Sequence, residues 1–176
     1  MMGKNTAMIC SGDAGVYGMA GLILELAQQY PGVRVRIVPG ITAACAGAAV
    51  LGAPLMHDFA VISLSDRLTP LEDIWNRVEA AAQADFVICL YNPASKGRPD
   101  FFRQACSRIL KYRAEDTVCG LAVNIGREGE EMEVLTLEEL KDRRVDMFTT
   151  VYIGNSHTRQ IGPYMVTPRG YRYEGN

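Results

Sequence analysis

Apolar and polar positions follow two rhythms along this chain. In Val33-Arg-Val-Arg-Ile-Val38 they alternate residue by residue, the period of a half-buried strand. From Met19 through Leu22, Ile23, Leu26 and Tyr30 the apolar positions recur close to helical spacing. Short apolar runs at 7–10, 59–64, 85–91, 117–124, 132–135 and 148–153 predict further strands. Helices are predicted between them: a small-residue segment at 41–51, one from Thr69 to about Ala82, and one over 99–112.

Two of these helices carry start signals. At Thr69-Pro70-Leu71-Glu72 a threonine N-cap is followed by proline at the first helical position and a glutamate that can close a capping box. Thr136 and Glu139 have the same spacing and predict a second capping box. Strands and helices alternate in the first half, the pattern of parallel α/β structure. Residues 65–69 read as a linker between two α/β lobes, 1–66 and 67–176. No internal repeat or low-complexity segment interrupts the order.

The loops after the predicted strands hold the candidate chemistry. The first runs Ser11-Gly-Asp-Ala-Gly-Val-Tyr-Gly-Met-Ala20, with glycines at every third position. Open α/β sheets bind small ligands at the carboxyl ends of their strands, and glycine lets a ligand approach the backbone closely. The spacing does not fit the Gly-x-Gly-x-x-Gly dinucleotide pattern. Asp13 would repel a pyrophosphate and suits a cationic or hydroxyl-bearing group. Ligand binding outweighs a purely structural turn here, and a nucleotide-binding protein using this loop stays open as an alternative.

Pro39-Gly-Ile-Thr-Ala43 is a second strand-to-helix junction, where Thr42 reads first as an N-cap. Tyr91-Asn-Pro-Ala-Ser-Lys-Gly-Arg98, Asn124-Ile-Gly-Arg-Glu-Gly129 and Gly154-Asn-Ser-His-Thr-Arg159 repeat the theme of strand, small residue and charge. Lone basic residues in such loops are most often only solvated. Loops at strand ends converge in α/β proteins, so together they predict one site. Trp75 and His157 read as packing and surface positions.

Composition narrows the classes. The net charge of −2 argues against a nucleic-acid binder. No apolar run has the length of a membrane span, and the first residues lack a secretory core. Five cysteines, none in a Cys-x-x-Cys pair, predict reduced thiols and a cytoplasmic protein. With two separated histidines, His57 and His157, no metal site is predicted.

The motifs above, taken in order with His57-Asp-Phe-Ala-Val-Ile-Ser-Leu-Ser-Asp66, Thr150-Val-Tyr-Ile-Gly-Asn-Ser156 and Met165-Val-Thr-Pro-Arg-Gly-Tyr171, resemble the tetrapyrrole (corrin/porphyrin) methyltransferases. The Asn-Pro-x-Ser-Lys and Ile-Gly-Arg-Glu-Gly segments favour the branch that methylates C-17 of precorrin-3B. The resemblance implies a two-lobed α/β fold of the tetrapyrrole methylase type. It implies S-adenosyl-L-methionine as methyl donor. The implied substrate is precorrin-3B or its cobalt analogue, cobalt-factor III, methylated with ring contraction.

By the same resemblance Ser11, Gly12, Asp13 and Val16 would line the donor pocket. Thr42 and Ala43 would touch it, and Asn92 and Gly126 would close it. Lys96, Arg98 and Arg127 are weaker candidates for the substrate carboxylates, by charge complementarity. Methyl transfer needs positioning rather than a covalent nucleophile, so no catalytic residue is named. The family's Gly-x-Gly-Pro-Gly section has no counterpart in this chain. An incomplete N-terminal lobe is therefore expected, with Val35, Ile37, Val61 and Ile62 in need of cover. A homodimer follows, with little activity from this chain alone. A non-catalytic binding or assembly module of the same fold is the alternative.

Overall fold

A computed structural model describes residues 5–94, 97 and 100–171. The contacts divide it into two compact units, Met1–Ala43 and Ala44–Asn176.

Among its described residues the N-terminal unit holds one complete helix, α1 (Ala20–Ala27), of which only Ala20 is buried. The predicted strands at 7–10 and 33–38 join no ladder among the described residues. A strand needs a partner for its N–H and C=O groups, and these two runs do not pair with each other.

The C-terminal unit is built on a five-stranded sheet of β2 (Phe59–Ser63), β3 (Val87–Tyr91), β4 (Val118–Val123), β5 (Glu131–Thr136) and β6 (Thr149–Ile153). β1 is the two-residue strand Gly52–Ala53. The sheet order is β2-β3-β6-β4-β5. β2 and β3 are parallel, and β6 runs antiparallel to both β3 and β4. A smaller sheet, ordered β1-β8-β7, adds β7 (Arg159–Ile161) and β8 (Tyr164–Val166).

The period-2 rule of a strand sorts the core into two layers. Ile62, Ile88, Leu90, Cys119, Leu121, Val151 and Ile153 point to one face. There they meet α3 (Leu71–Gln83), α4 (Phe101–Ile109) and α5 (Leu137–Lys141) through Ile74, Val78, Phe102, Ile109 and Leu140. Cys89, Ala122 and Tyr152 point to the other face and meet α2 (Ala43–Leu51) through Ala44, Ala48 and Leu51. Gly47 lets α2 lie this close. A Cβ there would stand 2.4 Å from the Tyr152 hydroxyl. Trp75 is packing, as expected: it is buried, meets Phe101 edge-on at 5.7 Å and carries Arg108 over its ring. Buried Cys106 has its thiol pushed up to about 12 by desolvation, as a core residue should.

Three expectations change. The expected break at 64–70 does not interrupt the sheet, because β2 pairs with β3 from Phe59–Val87 to Ser63–Tyr91. Residues 64–70 open the crossover that a parallel pair requires, and the chain divides between Ala43 and Ala44 instead. Ile62 is 6% exposed and Val61 packs against the second core layer, so neither needs outside cover. Thr69 is not the cap of α3. Pro70 takes that position with ψ 138°, outside the helical region, and no side chain caps the helix. At α5 both bonds of the Thr136–Glu139 box are present.

Candidate functional site

In the N-terminal unit Asp13 joins the two glycine junctions. Its carboxylate accepts the Gly15 N–H at 2.7 Å and the Gly40 N–H at 2.8 Å. Those bonds, Gly40 first and Gly15 second, hold the Asp13 carboxyl below the usual carboxylate range. Gly40 is required by the approach of the two segments. A Cβ there would sit 2.2 Å from the Gly12 carbonyl oxygen. Gly12 in turn faces the backbone of Ile41 and Thr42. Ser11, Gly12, Asp13, Thr42 and Ala43 are thus gathered in one small region, with Ser11 and Gly12 exposed at its surface. Val16 is exposed on the same loop, whose Val16 N–H bonds back to the Asp13 carbonyl at 3.4 Å.

In the C-terminal unit the second set of residues lies along one edge of the main sheet. β2, β3 and β4 run the same way, so Ser63, Asn92 and Asn124 all fall at their carboxyl ends. Asn92 and Asn124 both have φ 52°, a left-handed turn that asparagine tolerates better than most residues. The Asn92 amide donates to the Ser63 hydroxyl at 2.9 Å. The Asn124 amide donates to the Gly129 carbonyl at 3.1 Å and braces the following loop. Within that loop the Gly126 N–H donates to Glu130 at 2.6 Å, and the Arg127 guanidinium lies 5.6 Å over the Phe148 ring. Asn92, Gly126 and Arg127 therefore share an edge. Lys96 and Arg98 lie outside the described residues.

One expected member does not converge. The loop at Gly154–Arg159 follows β6, which runs opposite to β3 and β4, so it emerges at the other edge. There Ser156 donates to Asp85 from both its N–H and its hydroxyl, at 3.0 and 2.6 Å. The His157 ring stacks on His57 with centroids 6.3 Å apart. Strand direction carries no mark in local sequence.

Sequence reasoning also passed over two tyrosines. The Tyr91 hydroxyl accepts the Ala44 N–H at 2.5 Å, and the Tyr152 hydroxyl donates to the Ala44 carbonyl at 2.9 Å. Burial pushes the Tyr152 phenol far above its ordinary range, so it stays a neutral donor. The available signal was a hydroxyl-bearing ring at the end of one buried strand and in the middle of another, since a buried hydroxyl needs a partner.

The chain has relatives among known proteins. A protein of Salmonella typhimurium named as a probable cobalt-factor III C(17)-methyltransferase is 49% identical over 170 residues, covering 96% of this chain and 70% of its own length. The crystal structure of the methyltransferase CobJ superposes with a TM-score of 0.83 at 38% identity, over 90% of this chain and 68% of that one. The uroporphyrin-III C-methyl transferase from Thermus thermophilus, solved with S-adenosyl homocysteine, shares the fold with a TM-score of 0.62 and 21% identity, over 81% of this chain and 62% of that one. The chain thus spans roughly two thirds of these proteins. The model of the Tetrapyrrole (Corrin/Porphyrin) Methylases matches residues 2–141, and this chain belongs to that family.

Proposed function

We propose that this chain is an S-adenosyl-L-methionine-dependent methyltransferase of cobalamin (corrin) biosynthesis. Its substrate is cobalt-factor III or precorrin-3B, methylated at C-17 with ring contraction. The observation that carries this reading is the 49% identity over 170 residues to a protein bearing that name.

The residues present fit the donor. Bound S-adenosyl-L-methionine supplies a methyl group made electrophilic by its sulfonium. Asp13, kept ionised by two backbone N–H groups, gives the glycine loop a negative charge. That charge suits a cationic donor and opposes the pyrophosphate of a dinucleotide. Ser11, Gly12, Asp13, Val16, Thr42 and Ala43 bind the donor in this reading, and the family resemblance of their motifs assigns Asn92 and Gly126 to it as well. Arg127 serves the carboxylates of the tetrapyrrole, as do Lys96 and Arg98 on sequence grounds. The protein's share of catalysis is to hold the methyl in line with an electron-rich carbon.

A homodimer and a cytoplasmic location belong to the same reading. The exposed Leu22, Leu24, Leu26 and Val38 of the N-terminal unit support the first. Five cysteines without a disulfide support the second. No helix among the described residues is long and apolar enough to cross a membrane.

Calorimetry tests the donor assignment. S-adenosyl homocysteine binds and NAD does not. Asp13→Ala and Ala43→Trp each weaken that binding by about tenfold or more. Incubation of cobalt-factor III with methyl-labelled donor then yields a small amount of labelled product from this chain alone. Absence of S-adenosyl homocysteine binding overturns the reading. Binding without transfer to cobalt-factor III favours a non-catalytic module of the same fold.

A further inference from the structure

Helix α2 starts at Ala43, and its first amides have no carbonyl partner within the helix. A side-chain oxygen at the N-cap usually serves them. Here the Ala44 N–H is served from another element, by the hydroxyl of Tyr91 at the end of β3, 47 residues away. The Ala44 carbonyl is gripped as well, by the hydroxyl of Tyr152 on β6, 108 residues away. Both groups of one backbone residue are therefore held by phenols from two neighbouring strands.

Packing alone does not require this. Phenylalanine at either position would fill the same space. Burying a phenol hydroxyl is unfavourable unless the hydroxyl meets a partner. Each hydroxyl bonds to Ala44, and α2 carries glycine at position 47 where it faces the Tyr152 oxygen. The consequence reaches the preceding residue through covalent geometry. The Ala44 N–H lies in the same planar peptide unit as the Ala43 carbonyl. Holding the N–H therefore fixes the direction of that carbonyl, and holding the next carbonyl fixes the following peptide plane. Between them the tyrosines set the backbone torsions at Ala44 and the orientation of the helix start that Ala43 and Thr42 occupy.

We propose that Tyr91 and Tyr152 are positioning residues for methyl-donor binding, acting through the first turn of α2. They do not touch the reacting atoms. They keep the Ala43 peptide in the orientation that the donor meets. The inference rests on the assignment of Thr42 and Ala43 to the donor site.

The test compares Tyr91→Phe, Tyr152→Phe and the double variant with the wild-type chain, and uses Thr136→Ala as a control. The control removes a helix cap in the other core layer. Three quantities are read: affinity for S-adenosyl homocysteine, the donor KM against kcat, and amide hydrogen exchange at Ala44. Each tyrosine variant is expected to weaken S-adenosyl homocysteine by about tenfold. The donor KM rises with kcat little changed at saturating donor, and the Ala44 amide exchanges faster. Thr136→Ala leaves the donor terms unchanged. Wild-type donor affinity in both single variants overturns the proposal and leaves the methyltransferase reading standing. A donor KM raised equally by Thr136→Ala also overturns it, because general destabilisation would then explain the effect. A wild-type chain that binds no S-adenosyl homocysteine overturns both.

Discussion

The two units treat similar apolar sequence in opposite ways. In the C-terminal unit Ile88, Cys89 and Leu90 are fully buried, and every strand of the main sheet pairs with a neighbour. In the N-terminal unit Val33, Val35 and Ile37 alternate with arginines as a strand should, yet Val33 and Ile37 stay exposed and the segment enters no ladder among the described residues. α1 has the apolar spacing of a packed helix, and Leu22, Leu24 and Leu26 are each nearly half exposed. Periodicity states which face an element would bury. A strand or an amphipathic helix is realised only when another element supplies the other half of the contact. What orders the N-terminal unit is polar: one carboxylate holding two loops by backbone hydrogen bonds.

The largest effect that separates the units is loss of core volume. Leu90→Ala removes a fully buried side chain and should cost about 2–5 kcal/mol in urea denaturation. Leu24→Ala, at a position 47% exposed, should stay within about 0.5 kcal/mol. Equal losses from the two substitutions would break the comparison.

A smaller effect sharpens it within the C-terminal unit, where two threonines carry the same helix-start signal. Thr136→Ala breaks a complete capping box and should lower stability by about 1 kcal/mol. Thr69→Ala removes a side chain that caps nothing on α3 and should change stability by less than about 0.5 kcal/mol. The thermal midpoints of the two variants decide between them.

The smallest effect is local to the N-terminal unit and depends on pH. The folded pKa of Asp13 lies below its ordinary value, so the ionised form favours the folded clasp. Its contribution is whole above pH about 4 and fades as pH falls through the lowered folded value. Amide exchange at Gly15 and Gly40 should therefore accelerate in acid, after correction for intrinsic rates. In Asp13→Asn that acid step should vanish. An unchanged acid step in Asp13→Asn would assign it to another group.

The sequence by itself determined the local chemistry. The Thr136–Glu139 box, the strands that became β2 to β6 and the glycine junctions at 11–18 and 39–43 are written in short windows, because capping, period-2 burial and tight backbone approach are set by near neighbours. The family was equally legible, since its motifs run in order along the chain. Tertiary structure alone decided three things. It set the direction of β6, which moved the Gly154–Arg159 loop to the far edge and left Asn92 with Gly126 on the near one. It paired β2 with β3 across the supposed linker. It also turned Tyr91 and Tyr152 onto a backbone residue 47 and 108 positions away. Each depends on which segments meet, and partners that distant share no local window. Their hydrogen bonds exist only once the sheet has assembled.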